Sequence, residues 1–436
     1  MTEAQTHRRV LKIALPVVLS NITVPLLGLV DTGTIGQLGE AAPIGAVGLG
    51  AIILSTLYWF FGFLRMGTTG LAGQALGAGD ERELDAVLAR ALLVGALAGL
   101  VLLILQSPLI ALALWVAPAT SGVESLARDY LAIRVFAAPA AIALYGITGW
   151  LIAQERTRAV LVLQLWMNGL NIALNFWFVL GFGWGVAGVA WASFIAEWLG
   201  LALGLWFCLP VFGRPHWRAR ALLLQPARLA QLLSVSADIT VRSVLLMAAF
   251  TSFLFLGARM GEVTLAANQI LLQFIHLTSY ALDGFAFASE ALVAQAMGAR
   301  RKRGIRAATR VTFLWGFGSA LVLTLLFLIA GGAIIDLLTT AEDVRAEARA
   351  YLPWVWALPL VAAGSFLIDG VFIGATRTAD MRDMMVVSFG CYAFAVVLFL
   401  PVLGNHGLWA AVTLFFLARF ATLMARYPRV EAAAGS

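Results

Sequence analysis

Lysine occurs only at Lys12 and Lys302, and cysteine only at Cys208 and Cys391. Neither lysine closes a GxxxxGK[ST] phosphate loop, so nothing here is equipped to hydrolyse ATP. Both cysteines lie inside apolar stretches, where they read as packing residues rather than a disulfide or metal pair. No HExxH helix and no Ser-His-Asp set is present, so no enzyme, metal site or cofactor is expected. The scarcity that decides most is charge. Only 12% of the 436 residues are charged, against about 25% in an ordinary soluble domain, whereas 61% are hydrophobic. A polytopic membrane protein is expected, with no soluble domain.

Spanning the hydrocarbon core takes about 20 apolar residues. Twelve such runs are present, roughly 11–36, 44–70, 88–114, 129–152, 160–181, 186–210, 230–257, 264–292, 309–338, 351–375, 384–403 and 406–425. They are too long and too uniformly apolar for barrel strands, so the fold class is an all-α bundle of twelve transmembrane helices. The first run is too long for the apolar region of a signal peptide, and no small-residue cleavage site stands out.

The net charge of +6 does not point to nucleic acid once the charges are placed between runs. Twenty-one lysines and arginines fall on the side that holds the N-terminus, counting Lys12, Arg90 and Arg310 in the first residues of their runs; four fall on the other side, and four lie deeper inside the runs. The positive-inside rule then puts both termini in the cytoplasm of a multi-pass protein of the bacterial inner membrane. The cluster Arg300–Arg303 could bind anionic lipid, but topology determination is enough to account for it.

The chain is written twice. A shift of 221 residues (295 less 74) lays Gln74-Ala75-Leu76-Gly77-Ala78 on Gln295-Ala296-Met297-Gly298-Ala299. The same shift lays Ala127-Arg128-Asp129-Tyr130-Leu131 on Ala348-Arg349-Ala350-Tyr351-Leu352, and Ile152, Arg156 and Thr157 on Ile373, Arg377 and Thr378. Six helices return a half to its starting side, so the halves are parallel repeats, two six-helix bundles related by a pseudo-two-fold axis along the membrane normal. Residues 1–212 form the N-terminal lobe, 213–228 a basic linker with Pro215 and Pro226, and 229–436 the C-terminal lobe. Repeats of this kind belong to transporters, with substrate bound between the halves. No filter loop or charged ring suggests a channel.

A charge at the bilayer centre costs about 2.5–3.5 kcal/mol, so intramembrane polar residues are functional candidates. Asp31 is the first, with no lysine or arginine nearby in sequence. On a helix it shares a side with Ser20 and Thr34, the mixed face of a watered cavity. In the fifth run Asn171 and Asn175 share a face at i and i+4, either bonding to a neighbouring helix or lining a site. The sixth holds Glu197, with no evident partner. Arg65 and Arg134 sit near run ends, where their heads can either snorkel to the surface or pair internally. Pro139 should kink the fourth run. The seventh opens with Asp238 and Arg242 in the favourable order for an i, i+4 pair. The eighth carries Gln269, His276, Asp283 and Glu290, seven residues apart. This stripe is about 32 Å long, the depth of the bilayer core, and must face water or protein. Asp369 in the tenth run has no basic neighbour on its own helix before Arg377 and reads as a titrating group. The third, ninth, eleventh and twelfth runs read as scaffold, and acids near the midplane outnumber arginines.

Several stretches resemble the multidrug and toxic compound extrusion (MATE) family, in particular its DNA-damage-inducible branch: VPLLGLVDTGTIGQLG around Asp31, MGTTGLAGQALGAGD, ADITVRS around Asp238, ALDGFAFASEALVAQAMGAR, and FLIDGVFIGATRT around Asp369. The resemblance implies two six-helix lobes around a central cavity. It also implies export of small amphipathic or cationic compounds against an inward flow of protons or sodium. By position Asp31 is similar to the acid of the N-terminal lobe whose protonation drives release, in some members with bending of the first helix, for which Pro16 and Pro25 would be the hinges. Asp238 and Asp369 match positions where other members hold their cation. Many members have an acid where this chain has Asn175, a departure that tilts the expectation from sodium toward proton coupling through Asp31. The resulting expectation is a proton-coupled inner-membrane efflux antiporter, working as a monomer without a cofactor. Ser20, Thr34, Asn171, Asn175, Arg242, Gln269, His276, Asp283 and Glu290 are its cavity-lining candidates. Sodium coupling and a flippase for lipid-linked precursors are the alternatives.

Overall fold

The computed structural model describes residues 3–214 and 225–435, and of residues 3–5 the backbone alone. The linker residues 215–224, with Arg218 and Arg220, lie outside the described residues. Among those described, twelve helices are long and apolar enough to cross a membrane. They are α1 (Thr6–Gly36), α2 (Ala41–Ala78), α3 (Glu81–Ile104), α4 (Ser121–Ala153), α5 (Thr157–Gly181), α6 (Gly185–Phe207), α7 (Pro226–Ala258), α8 (Glu262–Gly298), α9 (Lys302–Leu338), α10 (Glu342–Gly374), α11 (Thr378–Leu403) and α12 (Asn405–Ala433). No strand occurs among the described residues.

The third predicted span is cut short. Its helix ends at Ile104, and Gln106–Val116 forms a separate short helix. The polar Gln-Ser-Pro at its start explains the break, because Pro108 has no N–H to donate and sits well only in a first turn. Pro139 acts the same way. α4 runs to Arg134, tightens into a 3₁₀ turn over Val135–Ala137, and restarts at Ala138 with proline in its first turn. α1, in contrast, is continuous through Pro16 and Pro25.

The chain divides into two compact units, one of Leu19–Ala75 and Asp80–Leu232, the other of Met1–Val18, Leu76–Gly79 and Leu233–Ser436. The division in α1 thus falls between its two prolines. The start of α1 is tied into the second unit by specific contacts. Arg9 donates to Gln295 Oε1 at 2.6 Å, Trp315 donates to His7 Nδ1 at 3.0 Å, and Gly284 lies so close to the Ala14 carbonyl that a Cβ would stand 2.6 Å from it. The core of the second unit is aromatic, with Phe253 edge-on to Trp409 and Phe274 to Phe327. Asn268 and Asn405 exchange hydrogen bonds at 2.8 and 2.9 Å and Trp409 donates to Asn268 Oδ1 at 3.0 Å, so these buried polar groups are satisfied.

The duplication is visible in backbone geometry. Left-handed residues recur at the same displacement: Gly79 and Arg300, Glu155 and Thr376, Gly183 and Gly404. So does a close helix contact. A Cβ on Gly149 would stand 2.3 Å from the Arg65 carbonyl, and one on Gly370 would stand 2.5 Å from the Ala286 carbonyl. Without a hydrophobic driving force between helices in lipid, such small-residue contacts carry much of the packing. Gly370→Ala is therefore expected to push α10 off α8 at a cost of about 1–3 kcal/mol. Thermal unfolding in detergent would show it as a Tm lower by several degrees, at about 2–4 °C per kcal/mol for a unit of this size. An unchanged Tm would mean the two helices part freely there.

Candidate functional site

In the first unit one face of α5 is a polar ladder. Gln164, Asn168, Asn171 and Asn175 follow at steps of four, three and four residues, the spacing that keeps side chains on one helical face. Gln164 donates to Asn168 Oδ1 at 3.1 Å, Asn168 donates to the Thr23 hydroxyl at 2.7 Å, and that hydroxyl donates to the Ser20 carbonyl at 2.6 Å. Higher up, Asn175 Nδ2 donates both to Asp31 Oδ1 and, at 2.8 Å, to Asn171 Oδ1, while Asn171 Nδ2 donates to the Ser193 hydroxyl at 2.7 Å. Asp31 thus heads a chain of neutral amides and a hydroxyl running from α1 through α5 to α6. Asn171 and Asn175 are buried and Asp31 half-buried. Directly after Asn175 the helix widens into a π segment, Phe176–Gly181, a distortion frequent at functional sites. Of the residues expected beside Asp31, Ser20 and Thr34 are buried, but the Thr34 hydroxyl donates to its own helix at Val30 O, 2.7 Å away. Glu197 does have a partner, contrary to the sequence reading: Arg134 from α4, at 2.9 Å. That arginine is half-buried and pairs internally, the second of the two readings its position allowed.

The second unit treats its acids differently. Asp238 and Arg242 do not pair with each other. Asp238 accepts from Thr378 at 2.9 Å and Arg382 at 2.6 Å, both on α11. Arg242, one turn on, points to α10 and donates to Asp369 Oδ2, which also accepts from Arg419 of α12 at 2.6 Å. Asp369 is therefore held between two guanidiniums, and around it arginines outnumber acids, the reverse of the sequence-based balance. Arg419 is 1% exposed and sits over the rings of Phe366, Phe415 and Phe416, 5.5–5.9 Å from their centres. Ring faces stabilise a cation that a single carboxylate has to share with another arginine. α11 and α12, read from sequence as scaffold, supply the partners of both acids. The signal for Arg419 was available: a lone arginine in an apolar run, the same criterion that singled out Asp31. The α8 stripe grades in exposure, from exposed Gln269 and His276 through half-buried Asp283 to buried Glu290.

A membrane bundle in which Asp31 meets an amide while Glu197, Asp238 and Asp369 meet arginines invites comparison with known transporters. The family model described as MatE matches residues 16–177 and again 239–401, one match in each sequence repeat. The chain belongs to the MATE family. It is 39% identical over 426 residues to DNA damage-inducible protein F of Escherichia coli K12, covering 96% of this chain and 91% of that protein, which meets the branch expected from the motifs. It is 26% identical to a probable multidrug resistance protein NorM of Synechococcus, over 95% of this chain and 93% of that one. Among solved structures, a multidrug resistance MATE transporter in an outward-facing conformation superposes with a TM-score of 0.87 at 16% identity, covering 99% of this chain and 97% of that one. The bent form of the Vibrio cholerae MATE transporter VcmN gives 0.88 at 18%, covering 99% and 98%. At such identities the structures speak for the fold alone. MATE proteins are transporters, so this chain is a multi-pass membrane transporter and not an enzyme.

Proposed function

We propose that this MATE protein exports small amphipathic or cationic compounds across the bacterial inner membrane in exchange for protons, by alternating access, with Asp31 as the coupling acid. The observation that supports this most is the contrast in partners. Asp31 accepts from a neutral amide, whereas Asp238 and Asp369 each accept from arginine. An acid bonded to an amide can trade its proton for a cationic substrate by re-forming one neutral hydrogen bond. Freeing Asp369 would instead break a buried ion pair, at a cost of about 3–5 kcal/mol. The amides also speak against sodium at this position, because Asn175 presents its N–H, not its carbonyl, to Asp31. The charge bias supports a cytoplasmic position for both termini, and a monomer is the working unit of this reading. Flipping of lipid-linked phosphates is less favoured, since both guanidiniums of the Asp369 cluster are buried and already bonded to its carboxylate.

The deciding experiment uses the purified protein in proteoliposomes and a fluorescent lipophilic cation. A pH gradient alone, at equal sodium, is expected to drive accumulation, and a sodium gradient alone, at equal pH, is expected to drive none. Accumulation under sodium with pH clamped would replace the proton reading with the sodium one.

A further inference from the structure

A cavity of about 770 Å³ lies within the second unit, lined by the starts of α1 and α9 and the ends of α2 and α8. Its charged lining residues are Arg9, Arg300, Arg301, Lys302 and Arg303, and no acid lines it among the described residues. Arg9 is occupied with Gln295. Glu431, whose field reaches Lys302, is taken by Arg306 through hydrogen bonds of 2.8 and 2.6 Å.

The turn that carries these cations breaks three local rules that its own repeat obeys. In the first repeat the left-handed position is Gly79, the residue with no Cβ penalty there. Asp80 then caps the next helix, accepting from the Glu83 N–H at 3.0 Å, and Glu81 and Glu83 complement the positive end of the helix dipole. In the second repeat the left-handed position is Arg300, at φ 53°. The N-cap is Arg301 with no side-chain cap bond, and Lys302 and Arg303 place like charge on the positive end of a 37-residue helix. Orienting a membrane protein requires positive charge near a helix end, but neither a strained arginine nor an uncapped helix. Local conflicts of this kind gather where a ligand resolves them.

We propose that this cavity binds a phosphate-bearing anion, which caps the N-terminus of α9 and is held by Arg300, Arg301, Lys302 and Arg303. Free N–H groups at a helix start and arginine forks are the groups that take phosphate. The phosphate comes either from an anionic phospholipid head group or from a soluble phosphate compound. This site is independent of the export reading, and its test reads stability, not transport.

The test is thermal unfolding of the full chain in detergent at matched ionic strength, with added phosphatidylglycerol, phosphatidylcholine, inorganic pyrophosphate or chloride. A saturating anion is expected to raise Tm by about 5 °C, and phosphatidylcholine and chloride are not. A response to phosphatidylglycerol alone assigns the site to lipid. A response to pyrophosphate as well assigns it to soluble phosphates. The triple variant R300G/R301D/K302E, which copies the first repeat, is expected to melt higher than the unmodified chain without anion and to ignore both anions. If that variant fails to insert, R300G alone carries the test: it keeps three cations, relieves the left-handed strain, and should melt higher with a weaker response. No anion response, an unchanged response in the triple variant, or a lower Tm for R300G without anion would overturn the proposal.

Discussion

Asp31→Asn is expected to reduce export to background while the protein still inserts, purifies and melts close to the unmodified chain. Asparagine fills the same volume and keeps a hydrogen bond to Asn175 once one amide turns, so the stability change should stay within about 1 kcal/mol. What disappears is the titratable group. For a neutral compound, one proton moved across 100 mV is worth about 2.3 kcal/mol, roughly a 50-fold concentration ratio; for a monovalent cation exchanged one for one the charges cancel, and the pH difference alone drives export, about tenfold per pH unit. Without that exchange the two access states are no longer biased, and only downhill movement survives. Drug tolerance of cells producing the variant, together with proton-driven uptake in proteoliposomes, measures the effect. Wild-type tolerance in a variant present at equal abundance would remove Asp31 from the coupling role.

Asp369→Asn should have the opposite character, a large loss of stability with transport secondary to it. The substitution leaves Arg242 and Arg419 buried side by side with no acid between them. Uncompensated buried charge costs about 3–5 kcal/mol, which for a unit of this size lowers Tm by about 10 °C. Removing either arginine instead leaves a one-to-one pair with Asp369. Arg242→Gln and Arg419→Gln are therefore each expected to cost less than Asp369→Asn. That order, read from melting curves of the three variants, is the discriminating result, because ordinary loss of a contact would make all three similar. If Asp369→Asn melts like the unmodified chain, Asp369 is not the keystone of this cluster and becomes available for ion coupling.

Most of the architecture was legible before any coordinates, for a physical reason. Lipid forbids unpaired backbone, so apolar length alone counts the helices, and the count of twelve stands. The duplication was legible too, and the left-handed turns carry it further than residue identity does: Glu155 and Thr376 share a backbone state but not a side chain. The break after Ile104 was missed because an average over apolar residues passes over a Gln-Ser-Pro interruption of three residues. The lower half of the amide ladder, Gln164 and Asn168, continues the spacing of Asn171 and Asn175 by further turns of the same helix face, so it too is legible in the sequence, whereas its link to Thr23 of α1 is not.

The partner of each buried charge was not legible. Helical periodicity states which residues share a face, and on that ground Asp238 and Arg242 belong together. It does not state which neighbouring helix that face meets. Once packed, α7 presents Asp238 to α11 and Arg242 to α10, and the longer-range partners win because they satisfy two carboxylates instead of one. The sequence by itself determined that this chain lies in a membrane as a duplicated set of helices with isolated acids, since burial of charge in hydrocarbon is costly wherever it occurs. Only the tertiary structure decided which acids are neutralised by arginine and which meets an amide, since that depends on the rotation of each helix against its neighbours.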